Sequence, residues 1–318
     1  MSSFSRRQFL DLCNAAMATT VGAGLGSLPF DSTPLAGDDR PLVHPRKVLL
    51  WENTRKEVRE WLGSGKLKAA ILPTGAIEQH NEHMALATDI AVASVISHTI
   101  ALKMYPQVIV APPSPCGFSP YWMARRGTIS LREETFLAYV FDVLSSLKTH
   151  GIHTVYLLNG HGGNGGPLKE NVPSWRKELD MTIDADTYVG ALSRSGYIHE
   201  VCESKQLTAH AGEFETSIIM AAFPDRVRHI TMKEYDDANL DYESGFTSEE
   251  KAWLALNDRS TPERLKGENK KDRRRQEEAF LSTAEKGEKL ITRCVEYYSD
   301  QLAQMIAARE AGKPWPPE

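Results

Sequence analysis

At 318 residues, with 41% hydrophobic and 25% charged side chains, the chain is too apolar to be disordered and long enough to bury a substantial core. A net charge of −5 and a pI near 6.1 leave no basic footprint for nucleic acid. Four cysteines exclude a disulfide-dense scaffold, and the chain has no strongly apolar run of about eighteen residues, so no stable membrane span is expected.

The chain opens Ser5-Arg6-Arg7-Gln8-Phe9-Leu10 and then runs uncharged from Asn14 to Phe30. Paired arginines before a mildly apolar stretch resemble a twin-arginine export signal, so residues 1–37 are expected to be removed, with cleavage between Leu35 and Asp38. That reading makes the twin-arginine export machinery a partner and the periplasm or cell exterior the destination. Residues 38–318 are expected to form one domain. Cys116, Cys202 and Cys294 remain in it, none in a C-x-x-C pair.

From Lys66 onward, short apolar runs alternate with helical patterns. Lys68–Pro73 predicts a buried strand, and Asp89–Met104 a helix apolar on nearly every side. Val108–Ala111 predicts a second strand. Phe136, Val140, Val143, Leu144 and Leu147 have helical spacing within Glu133–Lys148, and Val155–Leu158 predicts a third strand. Thr182–Val189 reads as a fourth strand or a sheet edge. Such alternation implies an α/β fold, a mostly parallel sheet with helices on both faces. Beyond Pro224 the chain turns polar, and about 232–280 reads as an insertion. Within it, Arg273-Arg274-Arg275 among interleaved acids suits a solvated helix face better than an anion site. About 282–308 reads as one long closing helix.

Three segments set ligand-type side chains at the ends of these elements. Glu78, His80, Glu82, His83 and Asp89 crowd the loop after the first strand. Carboxylates mixed with imidazoles suit Zn²⁺, Mn²⁺ or Fe²⁺, and the carboxyl ends of strands in open α/β sheets are where such sites form. The plainer alternative has Asp89 capping the next helix and the histidines merely exposed. Asn159-Gly160-His161-Gly162-Gly163-Asn164 presents a histidine among glycines directly after the third strand. The same letters spell G-x-G-x-x-G from Gly160 to Gly165, so a nucleotide-cofactor enzyme is the rival reading. Pro167 and Pro173 speak against it, because they would interrupt a phosphate-binding helix. Finally, His210-Ala211-Gly212-Glu213-Phe214-Glu215-Thr216-Ser217 opens a helix running to about Ala222. The helix dipole accounts for one acid in a first turn, but not for a histidine and two acids together.

In this order the segments resemble the creatininase family of metal-dependent amidohydrolases. Glu78-Gln79-His80 with Asp89 is similar to the family's E-x-H…D motif, Asn159–Asn164 to N-G-H-G-G-N, and His210–Ser217 to H-A-G-E-x-E-T-S. Gly127-Thr128-Ile129-Ser130-Leu131 resembles a substrate-side loop, and Ser282-Thr283-Ala284-Glu285-Lys286-Gly287 is a further echo. The resemblance implies a three-layer α/β/α sandwich, a homo-oligomer (often a hexamer) and two divalent ions, Zn²⁺ ahead of Mn²⁺ or Fe²⁺. By it, Glu78 and His161 hold one metal, His80 the other, and Asp89 bridges them. In creatininase the remaining glutamate follows the N-G-H histidine by two places, where this chain has Gly163, and an apolar residue stands where this chain has Glu213. Glu213 is therefore expected as the fifth ligand with Glu215 supporting it. Gly162, Gly163 and Asn164 are expected beside the site, and Trp122 in the substrate pocket. The implied reaction is hydrolysis of a C–N amide bond, cyclic or linear, in a small molecule, with a metal-activated water and His210 as general acid. A non-catalytic exported binding protein on the same fold is a third reading, weakened by the full set of ligand-type residues.

Two departures from the family pattern touch the pocket. Asn81-Glu82 replaces the usual Gly-Pro, and Trp122 stands where a histidine is common. In creatininase, a tryptophan four residues before the histidine matching His210 helps to clamp the flat ring. Here that position is Gln206, and Ala209 replaces a glutamate. Base–aromatic stacking contributes about 1–3 kcal/mol per ring, so losing a comparable clamp should weaken creatinine binding by about tenfold or more. Steady-state kinetics with creatinine should therefore give a specificity constant below about 10⁴ M⁻¹s⁻¹.

Overall fold

The computed structural model describes residues 46–123, 125–204, 210–239 and 262–317. The expected signal at 1–37, Gln206 and Ala209 lie outside them, as does part of the polar stretch. Helix α1 (Arg55–Gly63) opens on a capping box, in which Thr54 accepts from Glu57 N and the Glu57 carboxylate accepts from Thr54 N. There follow β1 (Ala69–Thr74), α2 (Thr88–Lys103), β2 (Val108–Val110), α3 (Glu133–Thr149), β3 (Thr154–Asn159), α4 (Gly162–Leu179) and β4 (Thr182–Thr187). The chain continues through α5 (Tyr188–Arg194), α6 (Tyr197–Val201), α7 (Glu213–Ala222), α8 (Met232–Asn239), α9 (Pro262–Ala279) and the closing α10 (Ala284–Glu310). No described helix is long and apolar enough to cross a membrane.

The strands lie in the order β2-β1-β3-β4, all parallel, with Ala70 opposite Val155 and Thr154 opposite Thr182. Their side chains alternate between two cores. Ala69 and Ile71 of β1, with Tyr156 and Leu158 of β3, pack with α2, α5, α7 and α10. Ala70 and Leu72, with Val155 and Leu157, pack with α3 and α4. Burial on both faces is why these strands read as continuous apolar runs. The three-layer α/β/α expectation holds. Because β1 has β2 on one side and β3 on the other, the chain reverses its progress across the sheet at β1. The crevice beyond the carboxyl ends of β1 and β3 is the switch point at which open α/β sheets bind ligands.

Two expectations change. The fourth strand ends at Thr187, and Tyr188 begins α5, its ring 6.3 Å from that of Phe214. Helix α4 also runs unbroken through Pro167 and Pro173. A helix-interior proline costs about 3 kcal/mol, but Leu168, Val172, Trp175 and Leu179 seat α4 on the sheet core and offset it. The prolines therefore carry no argument about what the Gly160 loop binds.

The closing helix docks on α7. Ser282 Oγ donates to Glu213 O (2.9 Å), and Thr283 N donates to Ser217 Oγ (3.2 Å). A Cβ at Gly287 would lie 1.9 Å from Ser217 O and 2.8 Å from Ala221 Cβ, so only glycine permits this approach. Gly287→Ala should push α7 and α10 apart and destabilise by about 1–3 kcal/mol, seen in calorimetry as a fall of several degrees in the unfolding midpoint.

Candidate metal centre

Two strand-to-helix connections and the start of α7 meet in the crevice beyond β1 and β3. The connection after β1 carries Glu78 and His80, and α2 supplies Asp89 at its second position. β3 passes into α4 through His161, while His210 and Glu215 come from the start of α7. All but His210 are buried. Their ligand-type atoms form three groups, each within 4.8 Å: Glu78, Asp89 and His161; His80, Asp89 and Glu215; Glu78, His80 and His210.

His161 Nδ1 lies 3.0 Å from Asp89 Oδ2 and 3.2 Å from Glu78 Oε2. His80 Nε2 lies 3.1 Å from Asp89 Oδ1 and 3.5 Å from Glu215 Oε2. The other nitrogen of each ring faces a backbone carbonyl, His161 Nε2 at 3.1 Å from Phe118 O and His80 Nδ1 at 3.0 Å from Glu78 O. A carbonyl only accepts, so each neutral imidazole keeps its proton there and turns its lone pair toward the carboxylates. His80 Nε2 and Asp89 Oδ2 are buried without a hydrogen-bond partner. Three buried carboxylates and two inward lone pairs need cations among them. The donor set fits divalent metal.

The protonation equilibria express the same demand. Burial opposes a charge on His80, yet Asp89 and Glu215 hold its imidazole up to about 10. Burial likewise opposes a charge on His161, which Glu78 and Asp89 hold up to about 9. Burial pushes the Glu78 carboxyl up. It acts on Asp89 too, but there His80 and His161 outweigh it and hold the carboxyl below the usual range.

His210 is held differently. Gln79 Oε1 accepts from Asn81 N (3.0 Å), so the Gln79 amide nitrogen faces His210 Nε2 at 2.8 Å and donates to it. The His210 proton then lies on Nδ1, 3.2 Å from Glu78 Oε1. Burial, aided by the charge on His80, pushes this imidazole down to about 3 and keeps it neutral. Its ring stacks on Trp122 at 4.5 Å, 9° from parallel.

The surrounding chain is tied to the same atoms. Asn159 Oδ1 accepts from Thr74 Oγ1 (3.0 Å) and from His161 N (3.1 Å). Asn164 donates to Gly75 O (3.1 Å) and accepts from Phe118 N (2.9 Å). From the connection between β2 and α3, Ser119 Oγ donates to Glu78 Oε2, and Thr128 Oγ1 accepts from Gln79 N at 3.1 Å. A Cβ at Gly160 would meet Asp89 O at 2.0 Å, and one at Gly163 would meet Phe118 O at 2.3 Å, whereas Gly162 has open space. The glycines at 160 and 163 thus make room for the protein's own backbone, so close packing accounts for them without a bound pyrophosphate.

One expected ligand is elsewhere. The Glu213 carboxylate accepts from Lys286 Nζ (2.6 Å), Ser204 N (2.7 Å) and Glu203 N (2.9 Å) and joins none of the three groups. Glu215 faces the site, Oε2 accepting from Ala211 N (2.6 Å) and Oε1 from Tyr188 Oη (2.7 Å). Two helical positions differ by about 200° in direction, so only one of the two acids can point at the metal loop. His83 also turns away, bridging Thr216 Oγ1 and Gln276 Oε1 at 2.9 Å each, and Glu82 is exposed. Sequence reasoning missed Gln79, Ser119 and Tyr188. Gln79 had a signal, as the middle letter of E-x-H; the other two had none.

The chain matches the creatininase (creatinine amidohydrolase) family over residues 51–302. It belongs to that family. It is 28% identical over 196 residues to creatinine amidohydrolase of Pseudomonas putida, covering 57% of this chain and 74% of that protein. Identity is 29% over 165 residues to the mycofactocin precursor peptide peptidase of Mycobacterium ulcerans (49% of this chain, 59% of that one). It is 26% over 192 residues to the 3-dehydro-scyllo-inosose hydrolase of Thermotoga maritima (58% and 59%). The chain thus spans about three-fifths of the last two. A crystal structure of creatinine amidohydrolase aligns with a TM-score of 0.61 at 23% identity, over 85% of this chain and 99% of that one, and bears on the fold alone. Solved creatininases include a variant of Zn-Zn type and a Mn form. The family relationship and the donor cluster make this creatininase-family member a metal-dependent hydrolase.

Glu215→Gln should lower the metal recovered per chain by elemental analysis. Glu213→Gln should leave it unchanged while lowering the thermal midpoint, because Lys286 loses a partner.

Proposed function

We propose that this hydrolase cleaves a C–N amide bond, cyclic or linear, in a small molecule, at a dinuclear centre. Glu78 and His161 are the proposed ligands of one ion, His80 and Glu215 of the other, and Asp89 is the bridge. The observation that carries this is the division of Asp89, whose Oδ1 faces His80 at 3.1 Å and Oδ2 faces His161 at 3.0 Å. Zn²⁺ is the proposed metal, with Mn²⁺ or Fe²⁺ as alternatives. Divalent ions held there supply an acidified water and polarisation of the amide carbonyl.

The chain's own residues do the rest. The buried walls around Glu78, Asp89 and Glu215 exclude bulk water, so charges act at full strength on the reacting atoms. The amide nitrogen leaves only when protonated. His210 holds its proton on Nδ1, toward the site, and Gln79 keeps it on that atom, so His210 Nδ1 is the proposed donor. Because His210 is neutral at rest, it donates only after the proton released by the attacking water has charged its ring; giving a proton to the leaving nitrogen then returns it to neutral, which balances the step.

Elemental analysis of Asp89→Ala should find both metals lost, since a bridge neutralises charge on each; two metals retained would refute the bridging role. His210→Ala should keep its metal and slow turnover by about a hundredfold or more. Loss of metal in that variant would make His210 a ligand instead.

We also propose that copies of the chain form a homo-oligomer, and that residues 1–37 send the folded, metal-loaded protein to the periplasm or cell exterior by the twin-arginine route. Replacing Arg6 and Arg7 with lysine should retain the unprocessed protein in the cytoplasm on fractionation. Processed protein outside the cytoplasm in that variant would overturn the assignment.

A further inference from the structure

Composition marks the stretch containing α9 as a solvated insertion, and Arg273 behaves so, half exposed and paired with Asp236 and Glu277. The neighbouring positions do not. Asp272 and Arg275 are buried, and Asp272 accepts from Arg275 Nη1 and from Arg125 Nη2 of the substrate-side loop, both at 2.7 Å. Asn81 Nδ2 donates to Asp272 O at 3.0 Å, and His83 meets Gln276 of the same helix. The Arg275 guanidinium carbon lies 5.6 Å from the centre of the Trp122 ring. Asn81 and Trp122, where this chain departs from the family pattern, are thus both points at which α9 touches the site.

A stacked ring pair resists tilting but not sliding in its own plane. Proton transfer from His210 Nδ1 needs the ring held to a fraction of an ångström. Its backbone does not supply that hold alone: His210 and Ala211 both have positive φ (95° and 55°), a conformation that persists only where surrounding packing imposes it. Trp122 lies against the imidazole, Arg275 lies against Trp122, and Asp272 fixes Arg275 while anchoring the loop through Arg125.

We infer that α9 positions His210, acting through Arg275 on Trp122, and that Trp122 is a platform for the imidazole rather than a clamp for a flat substrate. Trp122 and Arg275 are positioning residues. The inference rests on the reading of His210 as the proton donor, and on the contacts just described. The face of Trp122 that carries His210 is closed to a substrate ring, and α9 becomes the part of the chain that adapts a common metal site to its own leaving group.

The test treats the full-length, metal-loaded protein with diethyl pyrocarbonate and follows acylation of His210 by peptide mass spectrometry, with exposed His150 as the internal reference. Arg275→Ala and Trp122→Ala should each raise the His210 rate by about tenfold or more, with His150 and metal content unchanged. The double variant should react no faster than Trp122→Ala alone, because one residue acts through the other. Arg275→Lys and Trp122→Phe, which keep the cation and an aromatic face, should restore most of the protection. With any amide the enzyme turns over, Arg275→Ala should lower kcat and leave KM unchanged. A wild-type His210 rate in Arg275→Ala, or rates that multiply in the double variant, would overturn the inference. Full turnover by His210→Ala would overturn the proton-donor reading alone, since acylation reports the position of the ring and not its chemistry.

Discussion

Three carboxylates buried at the carboxyl ends of adjacent strands cannot remain charged together without cations among them. Glu78, Asp89 and Glu215 impose that constraint, and much of the surrounding chain answers it. Hydroxyl donors add to the imidazoles, Ser119 on Glu78 Oε2 beside His161 and Tyr188 on Glu215 Oε1. The imidazoles are aimed by backbone carbonyls at their far nitrogens. The asparagines flanking His161 fasten β3 to β1 and to the connection between β2 and α3, so the distance between the two halves of the site is set by the sheet itself. A rigid parallel sheet is well suited to this, because its strand ends move little and the loops inherit their precision.

Much of this was legible in the sequence, for identifiable reasons. Strands β1 and β3 are buried on both faces, which fills all but their end positions with largely apolar side chains and leaves an unmistakable run. Helix α2 reads as apolar nearly all round because it is enclosed between the sheet and the helices of the closing layer. Glu78, His80, Asp89 and His161 were legible because the switch-point crevice draws together the loops after β1 and β3. Tyr188 was not, since nothing in the strand pattern marks where β4 yields to α5.

What stayed hidden depended on direction or on distant partners. Glu213 and Glu215 are both acids in the first turn of α7, and only the angle at which that helix leaves Gly212 decides which one faces the metal loop. The burial of Asp272 and Arg275 was invisible because Arg125, the partner that holds them, lies 147 residues from Asp272. Local periodicity reads a mixed-charge helix as solvated, and Lys271, Arg273 and Glu277 of α9 are exposed. The prolines of α4 misled for the opposite reason: local chemistry argued for a break, and packing against the sheet overrode it.

The docking of residues 282–287 on α7 ties the donor cluster to a segment far along the chain. Glu78, Asp89 and His161, one of its groups, all come from the chain up to the start of α4. Another needs Glu215, and α7 is seated by Ser282, Thr283, Lys286 and Gly287 near the far end of the chain. The segment that seats α7 is therefore synthesised well after the rest of the donor cluster it supports. A chain cut short before α10 keeps every donor of the cluster and loses the packing that aims Glu215.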